Sequence, residues 1–178
     1  MNLTSDFEIR GAKVLLRPFC LEDVTDTYIG WLNDPIVVRY SNQRVIAHDR
    51  VSCLRYLESF AGTDNLFLSV RRLDTGQAIG TMTVYVSSHH GTADAGIMIG
   101  DKSVWGGGYG QDAWNTLTNW LLAQASIRKL TAGALACNAA MIRVMEKSGM
   151  QLEAVRKAQE ILDGVPQDIW HFAKFRDV

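Results

Sequence analysis

The stretch "WGGGYGQDAW", residues 105–114, places four glycines among six consecutive positions and then runs straight into a helical pattern. Glycine loses more backbone freedom on folding than any other residue and gives a core nothing to pack. A tight turn with positive φ needs one or two of them, so four ask for a further reason. The stretch before the loop, "ADAGIMIG" (93–100), reads as a strand. Strand, glycine-rich loop and helix in succession aim main-chain N–H groups at one spot. The positive end of the helix dipole adds to them, and the missing Cβ atoms let a ligand approach. Phosphate suits such a place.

The residues after the loop narrow the kind of phosphate. A Walker loop needs lysine and then serine or threonine after its last glycine, whereas Gln111 and Asp112 follow Gly110. A dinucleotide fingerprint can be laid on Gly108, Gly110 and Ala113, but it wants an acid about 20 residues on, at the end of the next strand. That region, "RKLTAGALACN" (128–138), has none.

Outward from the loop, the pattern is that of one α/β domain over residues 1–178. "AKVLLRPF" (12–19) reads as a strand. Residues 21–41 read as helical, broken around Asn33-Asp34-Pro35, because the residue before proline is pushed away from helix. Apolar residues at 51, 54, 57 and 60 mark a second helix. "NLFLSVRRL" and "AIGTMTVYVS" flank the turn "DTGQ", and "SSHHGT" turns the chain into the strand at 93–100. After the loop come a helix carrying Trp114, Leu117, Trp120 and Leu121, a strand "KLTAGALA", and a helix "NAAMIRVMEKSG" capped by Gly149. "MQLEAVRKAQEIL", "DGVP" and "QDIWHFAKF" form a closing hairpin. The sum is a mixed, mostly antiparallel central sheet with flanking helices.

Composition sets the outer bounds. Of the 178 residues 47% are hydrophobic and 21% charged, ordinary for a globular chain, and a net charge of −1 offers no field for nucleic acid or an anionic membrane. No apolar run approaches the roughly 18 residues needed to span a bilayer, and "MNLTSDFEIR" lacks the apolar region of a secretory signal. Cys20, Cys53 and Cys137, odd in number and widely spaced, point to reduced thiols in a cytoplasm and not to a disulfide framework or zinc site.

"GIMIGDKSVWGGGYGQDAW" (96–114), followed by "CNAAMIRVMEKSGM" (137–150), resembles the GNAT superfamily of acyl-CoA-dependent N-acetyltransferases in its RimJ/RimL-like branch. "LRPFCLEDVTDTYIGWLNDPIVVRY" (16–40) is similar to that branch as well, so the resemblance covers nearly the whole chain. The family's loop reads Gln/Arg-x-x-Gly-x-Gly/Ala, with Trp105, Gly108 and Gly110 at the defining positions here. The resemblance implies acetyl-CoA as co-substrate, without metal. Amides of Gly106, Gly107, Gly108, Tyr109 and Gly110 would hold its diphosphate. The strand "IMIG" (97–100) would splay from "KLTAGALA" in a V, with main-chain atoms of Met98 and Ile99 pairing with the pantetheine arm. Asn138 would bind the pantetheine or thioester, and Arg143 and Lys147 the phosphates.

Acetyl transfer to an amine also needs a base, donors for the oxyanion and a fate for the thiolate. Asp94 stands where the branch often carries glutamate, and burial beside a closed slot would suit it to act through water. His89 and His90 lie in the adjoining turn and titrate in a useful range. His48 and His171 belong to no motif. Family members often place serine three residues after the asparagine, or tyrosine seven after it, to protonate the thiolate. Here those positions are Met141 and Met145, which leaves water or a hydroxyl such as Ser41 or Tyr40. The segment "WLNDPIVVRYSNQR" (31–44) offers Tyr40 and Arg44, with His90, for binding a small polar amine. An amino sugar is the preferred acceptor, and the chain is expected to be monomer or homodimer. Alternatives are a protein N-terminal acetyltransferase, a catalytically inactive CoA-binding sensor, and a nucleotide-dependent oxidoreductase resting on the glycine match alone.

Overall fold

A computed structural model describes residues 7–176. The strands are β1 (Ile9–Arg10), β2 (Val14–Pro18), β3 (Leu66–Arg72), β4 (Ala78–Ser87), β5 (Thr92–Ile99), β6 (Lys129–Leu135), β7 (Gln151–Leu162) and β8 (Val165–Phe175). The helices are α1 (Asp26–Asn33), α2 (Arg50–Glu58), α3 (Tyr109–Ala123) and α4 (Ala139–Lys147). One sheet takes all eight strands in the order β1-β2-β3-β4-β5-β6-β8-β7. Every pairing is antiparallel except that of β5 with β6. This is the mixed α/β arrangement expected. Gly76 and Gly149 take left-handed φ values of 70° and 79°, as the β3–β4 turn and the end of α4 require. Asp163 and Gly164, both left-handed, make the tight β7–β8 turn.

The long helical reading of residues 21–41 shrinks to α1. Asp23 cannot continue a helix, because its carboxylate accepts from the Cys20 N–H and from the guanidinium groups of Arg17 and Arg71. Thr25 then starts α1 afresh, its Oγ1 accepting the Tyr28 N–H at 3.2 Å. At the other end Asp34 turns the chain by accepting the Ile36 N–H at 2.9 Å, and residues 35–41 continue as turns.

Strand alternation sends the two faces of the sheet to different covers. From β3, Leu66, Leu68 and Val70 join the larger cluster under α3, where Trp114, Leu117 and Leu121 are fully buried. Phe67, between them, joins the smaller cluster under α1 and α2, stacked on Phe19 with centroids 4.2 Å apart. β7, at the edge of the sheet, is exposed almost throughout, but over the central strands helices cover each face, and any opening there must come from within the sheet.

It comes between β5 and β6. Their pairing consists of Thr92 with Lys129, Ala93 with Leu130 and Asp94 with Thr131. Beyond Asp94, β5 stays on β4 as far as Ile99 while β6 stays on β8 as far as Leu135. Residues 95–99 and 132–135 therefore part, as the V-shaped splay requires. A strand edge laid bare inside a sheet is a template for something extended to pair with.

Candidate active site

A cavity of about 430 Å³ fills the opening. Ile97, Met98 and Ile99 of β5 form one wall, and Asn138, Ala140, Met141 and Val144, at and just beyond the start of α4, form the other. Gly106, Gly108, Tyr109 and Gly110 close one end, and Ile36, Val37, Tyr40 and Ser41 of the α1–α2 connection roof it. The Gly100 N–H donates to Ile79 O. Alternation along β5 then turns the main chain of Ile97 and Ile99 toward the gap and that of Met98 toward β4. Gly80 shows the same orientation, since a Cβ there would clash with Met98 O. Ile99 O is already taken, accepting from Trp105 Nε1 at 2.9 Å. Free groups for an added strand are therefore those of Ile97 and the Ile99 N–H, while Met98 lines the slot with its side chain.

The loop is built as an amide cradle. Gly106 and Gly108 have φ of 75° and 82°, a conformation closed to most side chains. Gly108 caps α3 without a side chain, and its carbonyl accepts the Asp112 N–H at 3.0 Å. The N–H groups of Tyr109, Gly110 and Gln111 are left as the unpaired first turn of a helix. The Gly107 N–H is not available, because it donates to Val104 O at 3.1 Å. Of residues 106–110, Gly107 is thus the one whose amide another residue claims, and Gln111 extends the run of available amides by one.

Several residues that fix this loop carry no signal in the sequence. Asp112 accepts N–H groups from Ala12, Lys13 and Val14 at 3.1, 2.8 and 3.0 Å, bolting the start of α3 to the β1–β2 turn. Lys13 Nζ donates to Gly107 O at 2.7 Å, and Lys13 and Arg72 both stand over the Tyr109 ring, 5.4 and 5.5 Å from its centroid. Two cations thus flank the cradle. Arg143 and Lys147, by contrast, lie exposed on α4 and line neither cavity.

Asn138 caps α4, its Oδ1 accepting the Met141 N–H at 3.2 Å. Its Nδ2 makes no hydrogen bond to a described residue, so a donor is presented to the slot at the open end of β6. Met141 lines the slot, while Met145 is fully buried in the core. Neither supplies a hydroxyl. Ser41 does: its Oγ accepts the Gln43 N–H at 3.2 Å, which leaves its own hydrogen free.

A second cavity of about 180 Å³ lies on the α1–α2 face of the sheet. It meets the first at Ser41, Ile97 and Met98, which line both. Tyr28, Tyr56 and Phe67 supply aromatic walls, and Gln43, Thr81 and Thr83 supply polar ones. Burial pushes the Tyr28 and Tyr56 phenols well up, so both stay neutral. The side chains of Tyr28, Gln43, Thr81 and Thr83 make no hydrogen bond among the described residues.

Asp94 stands at the apex of the splay, at the last β5–β6 rung. It shares a face with Gly96 and Met98, and Gly96 interposes no side chain between it and the second cavity. Asp94 is exposed at the mouth of the crevice, yet desolvation by the strands around it pushes its carboxyl up; the Thr131 hydroxyl, donating at 2.6 Å, and nearby His171 pull the other way. His171, outside any motif, packs over Gly133, and its Nε2 is buried without a partner among the described residues. Four residue steps of strand separate Asp94 from Met98, about 13 Å, so Asp94 reaches the junction only through water.

Two acceptor-side residues are not placed as expected. His90 lies exposed in the β4–β5 turn, at the end of β5 remote from Met98, and lines neither cavity. Arg44 also lines neither, because its guanidinium is engaged by Ser41 O, Asn42, Glu160 and Ile161 O. Tyr40 does line the slot. Among the described residues no group of three or more His, Cys, Asp or Glu could hold a metal ion, and no helix is long and apolar enough to cross a membrane.

The likeness to known proteins agrees with this geometry. Residues 13–151 match the family model described as an acetyltransferase (GNAT) domain. No curated protein sequence matches. Among solved structures, an acetyltransferase of the GNAT family from Bacillus anthracis superposes with a TM-score of 0.81 at 18% identity, over 96% of this chain and 99% of that one. RimL, a ribosomal L7/L12 alpha-N-protein acetyltransferase in complex with coenzyme A, gives 0.86 at 15% identity over 96% and 99%. The spermidine N-acetyltransferase of Vibrio cholerae, with CoA and spermine, gives 0.82 at 14% over 92% and 95%. At such identities the superpositions speak for the fold. The family match spans most of the chain and includes the glycine loop, the splay and the asparagine cap, and the chain belongs to the GNAT family of acetyltransferases.

Proposed function

We propose that this chain moves the acetyl group of acetyl-CoA to the primary amine of a small polar acceptor, by direct attack in a ternary complex. The preferred acceptor is an amino sugar. The observation that carries the reading is the meeting of the two cavities at Ser41, Ile97 and Met98, where the strands have parted. A cofactor arm entering along β5 from the cradle and an amine entering from the other face would come together there and nowhere else.

The amine must first lose a proton, since an alkylammonium has a pKa near 10. Asp94, with its carboxyl held up, receives that proton through water. The neutral nitrogen then attacks the thioester carbon, forming the C–N bond as the carbonyl π pair moves to oxygen. The gap-facing N–H groups of β5 and Asn138 Nδ2 are the donors at hand for that oxyanion. Collapse breaks the C–S bond, and the thiolate takes a proton relayed from the attacking nitrogen through the Ser41 hydroxyl. No hydroxyl at 141 or 145 is then needed.

The second cavity supports this acceptor class. A pyranose presents apolar C–H faces to aromatic rings and hydroxyls to groups such as Tyr28, Gln43, Thr81 and Thr83. A polyamine wants carboxylates, and a sugar nucleotide wants cations. The residues lining this cavity include neither. Thiol release from acetyl-CoA, followed over glucosamine, galactosamine, spermidine and a serine-initiated peptide, tests the reading. Turnover of the hexosamines is expected. Turnover confined to spermidine or to the peptide would overturn the acceptor class, and CoA binding with no turnover on any amine would overturn transfer itself.

A further inference from the structure

The connection between α1 and α2 roofs the slot through Ile36, Val37, Tyr40 and Ser41, and walls the second cavity through Ser41 and Gln43. Its internal structure is slight. Val38 N–H reaches Asp34 O at 3.0 Å, Ser41 N–H reaches Val38 O at 2.9 Å, and a short 3-10 turn covers Asn42–Val45. Those local bonds shape the loop, Asn33 and His48 close its ends, and Lys102 beyond β5 donates to Asp34 at its start, but none of these holds residues 41–44 against the parted strands.

The tip of the β7–β8 hairpin does. Arg44 donates to Ser41 O at 2.8 Å and Asn42 Oδ1 at 3.1 Å from Nη1, and to Glu160 Oε2 at 3.3 Å and Ile161 O at 3.1 Å from Nη2. Glu160 returns a second contact, its Oε1 accepting Asn42 Nδ2 at 3.1 Å. The Arg44 and Glu160 side chains are 15% and 22% exposed. A further pair, Arg39 with Asp163, is 54% and 69% exposed and adds little. A planar guanidinium that bonds carbonyls on both sides of a seam has one geometry available to it, which lysine could not reproduce. Removing one charge of the partly buried pair would leave the other without its partner.

We propose that Arg44 and Glu160 are positioning residues for acetyl transfer: together they latch the α1–α2 connection to the β7–β8 hairpin and so set Ser41 and Gln43 at the junction of the two cavities. The proposal rests on the acetyl-transfer reading above for its kinetic consequence and on the bonds alone for its structural one. The latch grips the acceptor's side of the junction and stays clear of the amide cradle. Loosening it therefore weakens acceptor capture more than cofactor binding.

The test uses Glu160→Ala and the conservative Glu160→Gln, which keeps an acceptor oxygen for Arg44. In Glu160→Ala, the acceptor KM, measured with the hexosamine turned over best, is expected to rise about tenfold, while the Kd for CoA moves less than about twofold. Glu160→Gln, which keeps one acceptor oxygen but neither the charge nor the second acceptor, should recover part of the loss, a rescue that a general destabilisation would not give. Backbone hydrogen exchange over residues 36–45 should quicken about tenfold in Glu160→Ala and not elsewhere. Unchanged exchange over 36–45, or an unchanged acceptor KM, overturns the proposal. If the wild type turns over no amine, the acetyl-transfer reading fails by itself, and the exchange measurement still decides the latch.

Discussion

Gly110→Glu should make the protein more stable and nearly abolish its affinity for CoA, two effects of opposite sign from one side chain. Gly110 is the second residue of α3, lines the slot, and lies outside the set of left-handed glycines. A Cβ there would meet Ile99 Cγ1 at 3.5 Å, an ordinary contact. Replacing a helical glycine gains about 1 kcal/mol, and an acid in the first turn adds about 0.5 kcal/mol from the helix dipole. At this chain length that raises Tm by about 4 °C. The same carboxylate would point into the amide cradle. Two diphosphate charges about 5 Å away, at an effective dielectric of about 40, repel it by about 1.7 kcal/mol each. The sum of about 3 kcal/mol is more than a hundredfold in Kd. Titration calorimetry with CoA and a thermal melt of the ligand-free protein read the two effects separately, with Gly110→Ala as the uncharged control. A Gly110→Glu protein that melts normally and binds CoA like the wild type would refute the assignment of the cradle.

The carboxyl of Asp94 is held above its ordinary value, so the folded state binds the extra proton, and its contribution to stability is lost as pH rises through that raised value. Asp94→Asn should therefore keep or raise Tm at pH 7, and should remove the fall in kcat on the acid side of the pH–rate profile. A Tm lowered at pH 7, or an acid limb retained, contradicts the role. Asp23→Ala leaves Arg17 and Arg71 facing a buried gap, since the Asp23 side chain is 6% exposed. It should cost about 3 kcal/mol, seen as a Tm about 10 °C lower, with the Kd for CoA unchanged.

How far the sequence reaches can be seen residue by residue. The glycine loop was readable because its amides act through the backbone, and glycine content reports backbone demands directly. The asparagine at 138 was readable for the same reason, as a cap. Residues 21–41 misled because apolar spacing continues past Asn33, whereas the commitments of Asp23 and Asp34 that end the helix are tertiary or turn contacts invisible to periodicity. Arg44 reads as a substrate ligand because its acidic partner, Glu160, is 116 residues away. The same holds for Lys13, which reaches Gly107 across 94 residues, and for the Thr131 and His171 environment of Asp94, assembled from three strands. Met141 and Met145 share a helix, yet only burial tells that one faces the slot and the other the core.

Acetyl transfer by this fold depends on where coenzyme A lies. A crystal structure of the protein with CoA measures it directly. Diphosphate oxygens are expected on the N–H groups of Tyr109, Gly110 and Gln111, with the pantetheine arm paired to β5 at Ile97 between strands still parted beyond Asp94. A CoA molecule bound elsewhere, or β5 and β6 closed on each other along residues 95–99, would contradict that placement.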